Sequence, residues 1–314
     1  MADHAGWEIA GDRVANSIKR IAIFGTGLIG ASVGLALRAQ GFAGSILGWD
    51  RTAANAETAA KAGAIDQIAR DPMAAAEESD CILLATPVFG ILEWLQKLAP
   101  VLNSSQLVTD VGSTKQAICD AAADLYSSPE AAYFLPGHPM AGKEVHGAEH
   151  ADERLFHGAV WLFTPWYDRA AALTTVSVGQ QRAMEWRGWV EGMGCRILDL
   201  DPARHDEVCA WASHLPQMLG TALAALLEDT FGGEAADSGR AEQLRAIGGR
   251  AMHEMTRLGG SPFSMWRDIA QTNDEAIAHT LLAMEQRLAL IRENLKQPEL
   301  RDQFERANRF RFQF

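Results

Sequence analysis

The sequence contains no hydrophobic run long enough to cross a membrane, and it has few cysteines. A membrane-spanning helix needs about 20 consecutive apolar residues, and no stretch of the 314 residues approaches this length. The first residues also lack the basic stretch followed by an apolar stretch that is typical of an export signal. No C-x-x-C spacing joins the four cysteines, which are Cys81, Cys119, Cys195 and Cys209. We therefore expect a cytoplasmic protein with reduced thiols and neither a disulfide framework nor a bound metal.

Positive charge is also scarce. The 28 Lys and Arg residues face 40 Asp and Glu residues, which gives a net charge of -12. Nucleic acids and anionic membranes select basic surfaces, so neither is an expected partner. An anionic small-molecule substrate stays compatible with this charge if a local cluster of cations or backbone amides binds it. Hydrophobic residues make up 48% and charged residues 22% of the chain, which is typical of globular domains.

The sequence pattern changes near residue 200. Residues 1–18 are polar and aperiodic, which predicts an N-terminal extension. Across residues 19–200, short apolar runs alternate with helical segments, a pattern typical of βαβ units and a parallel sheet covered by helices. Residues 201–314 carry apolar residues at helical spacing and no strand signal, which predicts an all-helical domain. We expect this domain to bury its apolar faces against a second copy and form a homodimer. Strands are predicted in KRIAIF, SILGWD, CILLATPV, QLVTDVGS, YFLPGHPMAG, AVWLFTP and GCRILDLD.

A glycine-rich motif follows the first predicted strand. The run Gly25-Thr26-Gly27-Leu28-Ile29-Gly30 matches G-x-G-x-x-G and precedes a predicted helix. In this position the glycines permit a tight turn, a close approach to a pyrophosphate, and close packing of helix on strand. The free amides at the helix N-terminus then face the phosphates. A purely structural glycine turn is the alternative.

Asp50 favours the dinucleotide interpretation. It ends the second predicted strand, twenty residues after Gly30, where a carboxylate can accept hydrogen bonds from ribose hydroxyls. A carboxylate would repel a 2′-phosphate, so the predicted cofactor is NAD rather than NADP, although the neighbouring Arg51 weakens that preference. Arg51 itself is included among the predicted cofactor-binding residues. So are Thr86 and Pro87, which follow the strand in CILLATPV.

Two further motifs carry candidate chemistry in the first domain. Ser113, in Asp-Val-Gly-Ser-Thr-Lys at the end of a parallel strand, lies at the edge where open sheets bind ligands. It can hydrogen-bond a substrate hydroxyl or a histidine, or alternatively Ser113 or Thr114 caps the next helix. His138, held between Gly137 and Pro139, is a candidate base because imidazole, with a pKa of about 6.5, accepts protons at neutral pH. A structural histidine is the alternative.

Other histidines are less informative. His146 and His150 have the i, i+4 spacing of a metal pair, but no further ligand pattern accompanies them. We expect these two, like His157, to lie on the surface or in loops.

The first long helix of the second domain contains an interruption. Pro216 has no N–H, so the carbonyl of Ala212 loses its helical partner and we expect a kink. Such a kink favours a substrate-binding wall formed by Ser213, His214 and Gln217, with simple kinked packing as the alternative.

A block of residues near position 260 supplies a cation and an aromatic ring. Arg257 and Trp266 lie in MTRLGGSPFSMWRDI. A guanidinium binds a carboxylate in a planar fork, so Arg257 is the candidate cation for an anionic substrate. A surface pair with Glu254, one turn earlier, is the alternative for Arg257.

Taken together, these motifs resemble those of the prephenate/arogenate dehydrogenase family of tyrosine biosynthesis. The resemblance covers residues 19–269 and rests on GTGLIGASVG, DVGSTK, GHPMAG, SHLPQ and MTRLGGSPFSMWRDI in that order. It implies a Rossmann-type NAD-binding domain followed by an all-helical dimerisation domain, with the active site in the cleft between them.

The resemblance also implies roles for individual residues. His138 is the implied catalytic histidine at the ring hydroxyl, Ser113 assists it, and Arg257 binds a substrate carboxylate. Gln217 stands where some relatives carry a second histidine. The implied reaction is the oxidative decarboxylation of prephenate by NAD, and arogenate is the alternative substrate. A hydroxyacid dehydrogenase is a weaker rival because the first helix of the second domain contains no lysine, and a non-catalytic NAD-binding protein would not need His138 or Arg257.

Overall fold

The computed structural model describes residues 17–143, 145–165, 176–232 and 238–313. The chain divides into two compact units between His205 and Asp206. Most of the predicted N-terminal extension lies outside the described residues. Its last two residues are packed into the first unit, because Ser17 donates two hydrogen bonds to Glu185, of 2.7 and 2.6 Å, and Ile18 is buried.

A six-stranded parallel sheet forms the centre of the first unit, in the order β3-β2-β1-β4-β5-β6. Its strands are β1 (Arg20–Phe24), β2 (Ser45–Trp49), β3 (Gln67–Ile68), β4 (Cys81–Leu84), β5 (Leu107–Asp110) and β6 (Tyr133–Leu135). The helices that alternate with them are α1 (Leu28–Ala39), α2 (Ala53–Lys61), α3 (Pro72–Glu77), α4 (Val88–Leu98) and α5 (Gln116–Leu125). This arrangement confirms the predicted doubly covered parallel sheet. The sequence patterns did not single out β3, which is two exposed residues long, nor α3 and α4.

The period-2 alternation of the strands divides the core into two layers. In β1, Ile21 and Ile23 belong to one buried cluster, while Ala22 and Phe24 belong to the other. Both faces of the sheet are therefore apolar, which explains why its strands appear in the sequence as continuous hydrophobic runs.

A second, three-stranded sheet continues the first unit. It consists of β7 (Gly137–Pro139), β8 (Val160–Phe163) and β9 (Arg196–Asp199), with α6 (Val178–Gly192) before β9. The pair β7–β8 is antiparallel and the pair β8–β9 is parallel. The sequence predicted strands in these segments, with β6 and β7 together as the single segment YFLPGHPMAG, but it did not predict a separate second sheet. One residue, Pro136, separates β6 from β7, so the chain passes directly from the large sheet to the small one.

The second unit is helical throughout its described residues. Its elements are α7 (Pro202–Cys209), which spans the boundary, α8 (Leu215–Phe231), α9 (Ser238–Ile247), α10 (Arg250–Thr256), α11 (Phe263–Thr272), α12 (Asp274–Glu293) and α13 (Glu299–Arg311). The predicted all-helical region thus consists of several helices, which are separated at Gly248-Gly249 and at Asn273 among other places. None of the described helices combines the length and hydropathy that crossing a bilayer requires.

The predicted interruption before Pro216 takes the form of a π-helical turn. Residues Ala210–His214 form this turn between α7 and α8, and the N–H of Leu215 donates to the carbonyl of Ala210, five residues earlier. A wider turn keeps the chain helical where proline removes a hydrogen-bond donor.

Candidate active site

The glycine-rich turn has the shape that a dinucleotide requires. Gly25 has φ +94°, and a Cβ there would lie 2.4 Å from the carbonyl oxygen of Ala85. A Cβ on Gly30 would lie 1.9 Å from the carbonyl oxygen of Gly25, whereas a Cβ on Gly27 would meet nothing within 4 Å. Two glycines are therefore fixed by packing, and the third borders open space where a ligand can approach.

The start of α1 supplies backbone amides to the same place. Gly27 is the N-cap residue, and the helix has no side-chain cap. The first intrahelical hydrogen bond is donated by Ala31 to Gly27 at 3.0 Å, so the amides of Leu28 and Ile29 precede it. The amides and the positive end of the helix dipole suit the diphosphate of a dinucleotide.

Asp50 is held in place at the carboxyl end of β2. One carboxylate oxygen accepts from the Thr26 amide at 2.9 Å, and the other accepts from Thr52 at 2.8 Å and from Asn55 at 3.3 Å. The carboxylate is therefore fixed against the glycine-rich turn before any ligand binds. Arg51, next to it, is exposed.

The turn after β4 contributes a buried hydroxyl. Thr86 Oγ1 is buried and has no hydrogen-bond partner among the described residues. The Thr86 amide also lies 2.9 Å from where a Gly25 Cβ would be, which places the two turns side by side. Pro87 is exposed and forms the N-cap position of α4. An unsatisfied hydroxyl beside the glycine-rich turn is a binding group for a polar ligand.

The Asp-Val-Gly-Ser-Thr-Lys motif forms a buried polar junction after β5. One Asp110 carboxylate oxygen accepts from the Gly137 amide at 3.0 Å, and the other accepts from Gly112 at 2.7 Å and from the Lys115 ammonium. Ser113 is half-buried and lies two residues before Lys115, the N-cap residue of α5, whose side chain makes no capping hydrogen bond. Ser113 is thus not the N-cap residue, which was the structural alternative for it.

His138 lies in the middle of β7 and is 8% exposed. Its Nδ1 is 2.9 Å from Nε2 of His205, a fully buried residue in α7. The two rings are tilted by 54° with their centres 5.1 Å apart. In contrast, His146, His150 and His157 are exposed, as the sequence predicted. The structure thereby singles out His138 as a histidine held by a specific neighbour.

The second unit contains its own group of predicted residues. His214 is buried, with Nδ1 3.2 Å from the Asn273 amide nitrogen and its ring edge-on to Trp266 at 5.8 Å. The Trp266 Nε1 is buried and has no hydrogen-bond partner among the described residues. Ser213 is half-buried beside His214. His214 and Trp266 are therefore in contact, and the indole N–H is available to a ligand acceptor.

Gln217 and Arg257 meet at one turn. The Gln217 side chain donates to the Leu258 carbonyl at 2.6 Å and accepts from the Ser261 hydroxyl at 3.1 Å. These bonds hold the 3-10 turn Arg257–Gly260. Arg257 is exposed, and Glu254, its proposed surface partner, instead pairs with Arg250 at 2.7 Å. The role of Arg257 as the cation for an anionic substrate stays a prediction.

Some polar residues of these groups were not predicted from the sequence. His205 is one, because its partner His138 is 67 residues away in the sequence. The sequence analysis identified Asp110 and Lys115 only as parts of a motif. Their ion pair was not predicted, because it depends on the conformation of the turn after β5. Asn273 carried no signal.

Two family models match the chain. The model described as "Prephenate dehydrogenase, nucleotide-binding domain" matches residues 33–177. The model described as "Prephenate dehydrogenase, dimerization domain" matches residues 201–308.

Individual relatives agree with these matches. The prephenate dehydrogenase of Bacillus subtilis (strain 168) is 30% identical over 258 residues, which cover 82% of this chain and 65% of the relative, so the chain spans about two thirds of that relative's length. The crystal structure of Synechocystis arogenate dehydrogenase is 30% identical with a TM-score of 0.70, covering 94% of this chain and 99% of that chain. Prephenate dehydrogenase from A. aeolicus, in complex with hydroxyphenyl propionate and NAD+, is 27% identical with a TM-score of 0.79 and coverages of 94% and 98%. The chain belongs to the prephenate and arogenate dehydrogenase family.

Proposed function

We propose that the protein catalyses the NAD-dependent oxidative decarboxylation of prephenate to 4-hydroxyphenylpyruvate, a step of tyrosine biosynthesis. One observation carries the proposal: the predicted groups of the first unit follow consecutive neighbouring strands at one edge of the parallel sheet. Asp50 follows β2, the glycine-rich turn follows β1, Thr86 follows β4, Ser113 follows β5, and His138 follows β6 after Pro136. Ligands of open α/β sheets bind at this carboxyl edge.

The division of labour follows the two regions. Residues 19–200 bind NAD, and residues 201–314 bind substrate and associate with a second copy. When bound, NAD+ accepts a hydride from the ring carbon that carries the hydroxyl. Asp50 holds the ribose hydroxyls, the first amides of α1 hold the diphosphate, and Thr86 supplies a hydroxyl nearby.

His138 handles the proton of the reaction. Its Nε2 accepts the proton of the ring hydroxyl as the hydride leaves, and Ser113 orients that hydroxyl by a hydrogen bond. The ring carboxylate then departs as carbon dioxide and the ring becomes aromatic, which drives the reaction forward. His138 returns the proton to the phenolate oxygen, so the reaction as a whole neither consumes nor releases one.

The second unit binds the substrate dianion. Arg257 pairs with one carboxylate as a planar fork. His214, Trp266 and Ser213 add polar contacts, and Gln217 holds the turn that carries Arg257. A fixed cation is needed because the net charge of -12 repels an anion at long range.

Arogenate is the second candidate substrate. It differs from prephenate in carrying an amino group in place of the side-chain keto group, and the Synechocystis relative is an arogenate dehydrogenase. Purified protein assayed with each substrate and with NAD+ or NADP+ separates these possibilities. Turnover of neither substrate would reject the proposed function in favour of a non-catalytic NAD-binding protein.

We also propose a homodimer formed by the second unit. That region matches the dimerization-domain model, and it exposes large apolar side chains, including Ile247 at 80% and Phe263 at 77%. Contiguous apolar surface marks association sites, and a second copy would bury side chains such as these. Light scattering on the eluting protein should give twice the mass of one chain, and a monomer at micromolar concentration would refute the dimer.

We propose a cytoplasmic location, with which the state of the cysteines is compatible. All four are described and buried, and they form no disulfide. Burial raises the pKa of the Cys195 thiol to about 11, so this thiol stays protonated at neutral pH. Disulfides are rare in the reducing cytoplasm, where cysteines stay in this unpaired form.

A further inference from the structure

The hydrogen bond between His138 and His205 joins two histidines that are both inside the first unit. His138 Nδ1 and His205 Nε2 are 2.9 Å apart, and the residues are 8% and 0% exposed. His205 is fixed near the start of α7, where its amide donates to the Asp201 carbonyl at 2.9 Å. His138 is fixed from the other side by β7, where it lies opposite Leu162 of β8. The contact is therefore set by two rigid elements.

We propose that His205 is a positioning residue that selects the tautomer of His138. Of the two ring nitrogens in this contact, one must donate a hydrogen bond and the other must accept it. If His138 donates from Nδ1, its Nε2 carries a lone pair and can take up a proton. If His205 donates instead, His138 carries its hydrogen on Nε2 and cannot act as a base there. The proposal rests on the proposed function. It assigns the arrangement in which His138 donates from Nδ1 to Nε2 of His205.

The proton balance follows from that polarity. During reaction the substrate O–H bond breaks and an Nε2–H bond forms on His138, which becomes an imidazolium. Its Nδ1–H still points at His205 Nε2, and a neutral His205 accepts this stronger, charge-assisted hydrogen bond. When the proton returns to the phenolate oxygen, both rings regain their starting states. His205 exchanges no proton with the substrate and only stabilises the charged form of His138.

Two substitutions at position 205 distinguish the loss of the hydrogen-bond acceptor from the loss of the imidazole ring. In His205→Gln the amide oxygen takes the place of Nε2, whereas in His205→Asn the shorter amide reaches only the place of Nδ1. We expect His205→Asn to lower kcat about 10- to 100-fold, the range for losing a hydrogen bond to a charged group. We expect His205→Gln to stay within a few-fold of the wild type. The KM values for prephenate and NAD should hardly change in either variant, because His205 acts on the base and not on binding.

A double-mutant cycle tests whether His205 acts through His138. The His138→Asn variant has already lost the contribution of the base to kcat. Adding His205→Asn to this variant should therefore lower the remaining kcat no further. Equal losses in both backgrounds, or a folded His205→Asn variant with wild-type kcat, would overturn the proposal.

A spectroscopic measurement on the wild-type protein keeps the test independent of activity and of how well the His205 variants fold. In wild-type protein labelled with ¹⁵N-histidine, the His138 signals, assigned by their loss in His138→Asn, should show a protonated Nδ1 and an unprotonated Nε2. The opposite tautomer would refute the role of His205 even if the enzyme is active. Absence of turnover in the wild type, with the tautomer as expected, would instead reject the proposed function.

Discussion

The carboxylate of Asp110 and the ammonium group of Lys115 form an ion pair in which neither side chain is exposed to solvent. The same carboxylate accepts hydrogen bonds from the amides of Gly112 and Gly137. A buried charge is tolerated only when its partners are complete. The pair therefore locks the turn after β5 to the first residue of β7, one residue before His138.

Removing the lysine should strongly destabilise the protein. Lys115→Met leaves a buried carboxylate without its counter-ion, and we expect the free energy of unfolding to fall by about 3–5 kcal/mol. Lys97→Met is the matched control, because Lys97 pairs with Glu93 on an exposed helix surface and its loss should hardly change the free energy of unfolding. Urea denaturation of both variants measures the difference. Similar losses would show that the Asp110 carboxylate does not depend on Lys115.

Alanine at two positions of the glycine-rich turn should affect different properties, NAD binding at one position and stability at the other. Gly27→Ala adds a Cβ in open space, so the variant should fold with near wild-type stability but bind NAD at least about tenfold more weakly. Gly30→Ala adds a Cβ 1.9 Å from the Gly25 carbonyl oxygen, so it should destabilise the fold itself. Thermal unfolding and calorimetric titration with NAD separate the two effects. Unchanged NAD affinity in Gly27→Ala would remove the turn from the cofactor site.

Asp50 should set the preference for NAD. In Asp50→Ser the ribose loses a carboxylate acceptor and a 2′-phosphate is no longer repelled, so kcat/KM with NAD should fall relative to NADP by about tenfold or more. The melting temperature serves as the control, since Asp50 also accepts hydrogen bonds from Thr26, Thr52 and Asn55. A wild-type protein that uses NADP more efficiently than NAD would contradict this interpretation.

His138→Asn should lower kcat by roughly 10²- to 10⁴-fold, because the base is lost while the volume is largely kept. The KM for prephenate should change far less. His150→Asn, at an exposed position, is the matched control and should behave as the wild type. Steady-state kinetics decide the matter, and near-normal turnover in folded His138→Asn would end the assignment of His138 as the base.

Arg257 should bind substrate without taking part in the chemistry. If bound prephenate desolvates its pair with Arg257, Arg257→Gln should raise the KM for prephenate by a factor equivalent to roughly 2–5 kcal/mol of lost binding, and Arg257→Lys should restore part of it. NAD affinity should stay unchanged. Arg250→Gln, which removes the exposed partner of Glu254, is the control. An unaltered prephenate KM in Arg257→Gln would direct attention to Arg267, which contacts the buried Asp268.

The parts of the fold that were predictable are those decided by local pattern. Runs such as KRIAIF and CILLATPV are buried on both faces, so their composition alone identifies strands. The short β3 has two exposed residues and left no such pattern. The separation of β7 from the large sheet was also invisible, because it depends on pairing with β8, which lies more than twenty residues further along the chain.

In the candidate site, too, the residues set by local pattern were predictable and those set by distant contacts were not. Gly25, Gly27 and Gly30 were identified because a turn of this shape requires glycine at fixed spacing, and the structure shows two of those requirements as steric conflicts. His205 was missed because its partner, His138, is 67 residues away in sequence. Contacts between distant residues are set by tertiary packing, which no local spacing encodes.

The single-residue link at Pro136 limits how the length of this chain can vary. The ring of Pro136 fixes its φ, and its carbonyl accepts a hydrogen bond from the Thr164 amide at 3.1 Å. Strand β6 ends immediately before Pro136 and β7 begins immediately after it. An inserted or deleted residue at this point would shift His138 by about 3.3 Å, one strand residue, and turn its side chain to the opposite face of β7. Surface loops in most proteins accept such length changes readily. Here the connection between the two sheets is a position where an insertion or deletion would act directly on the chemistry.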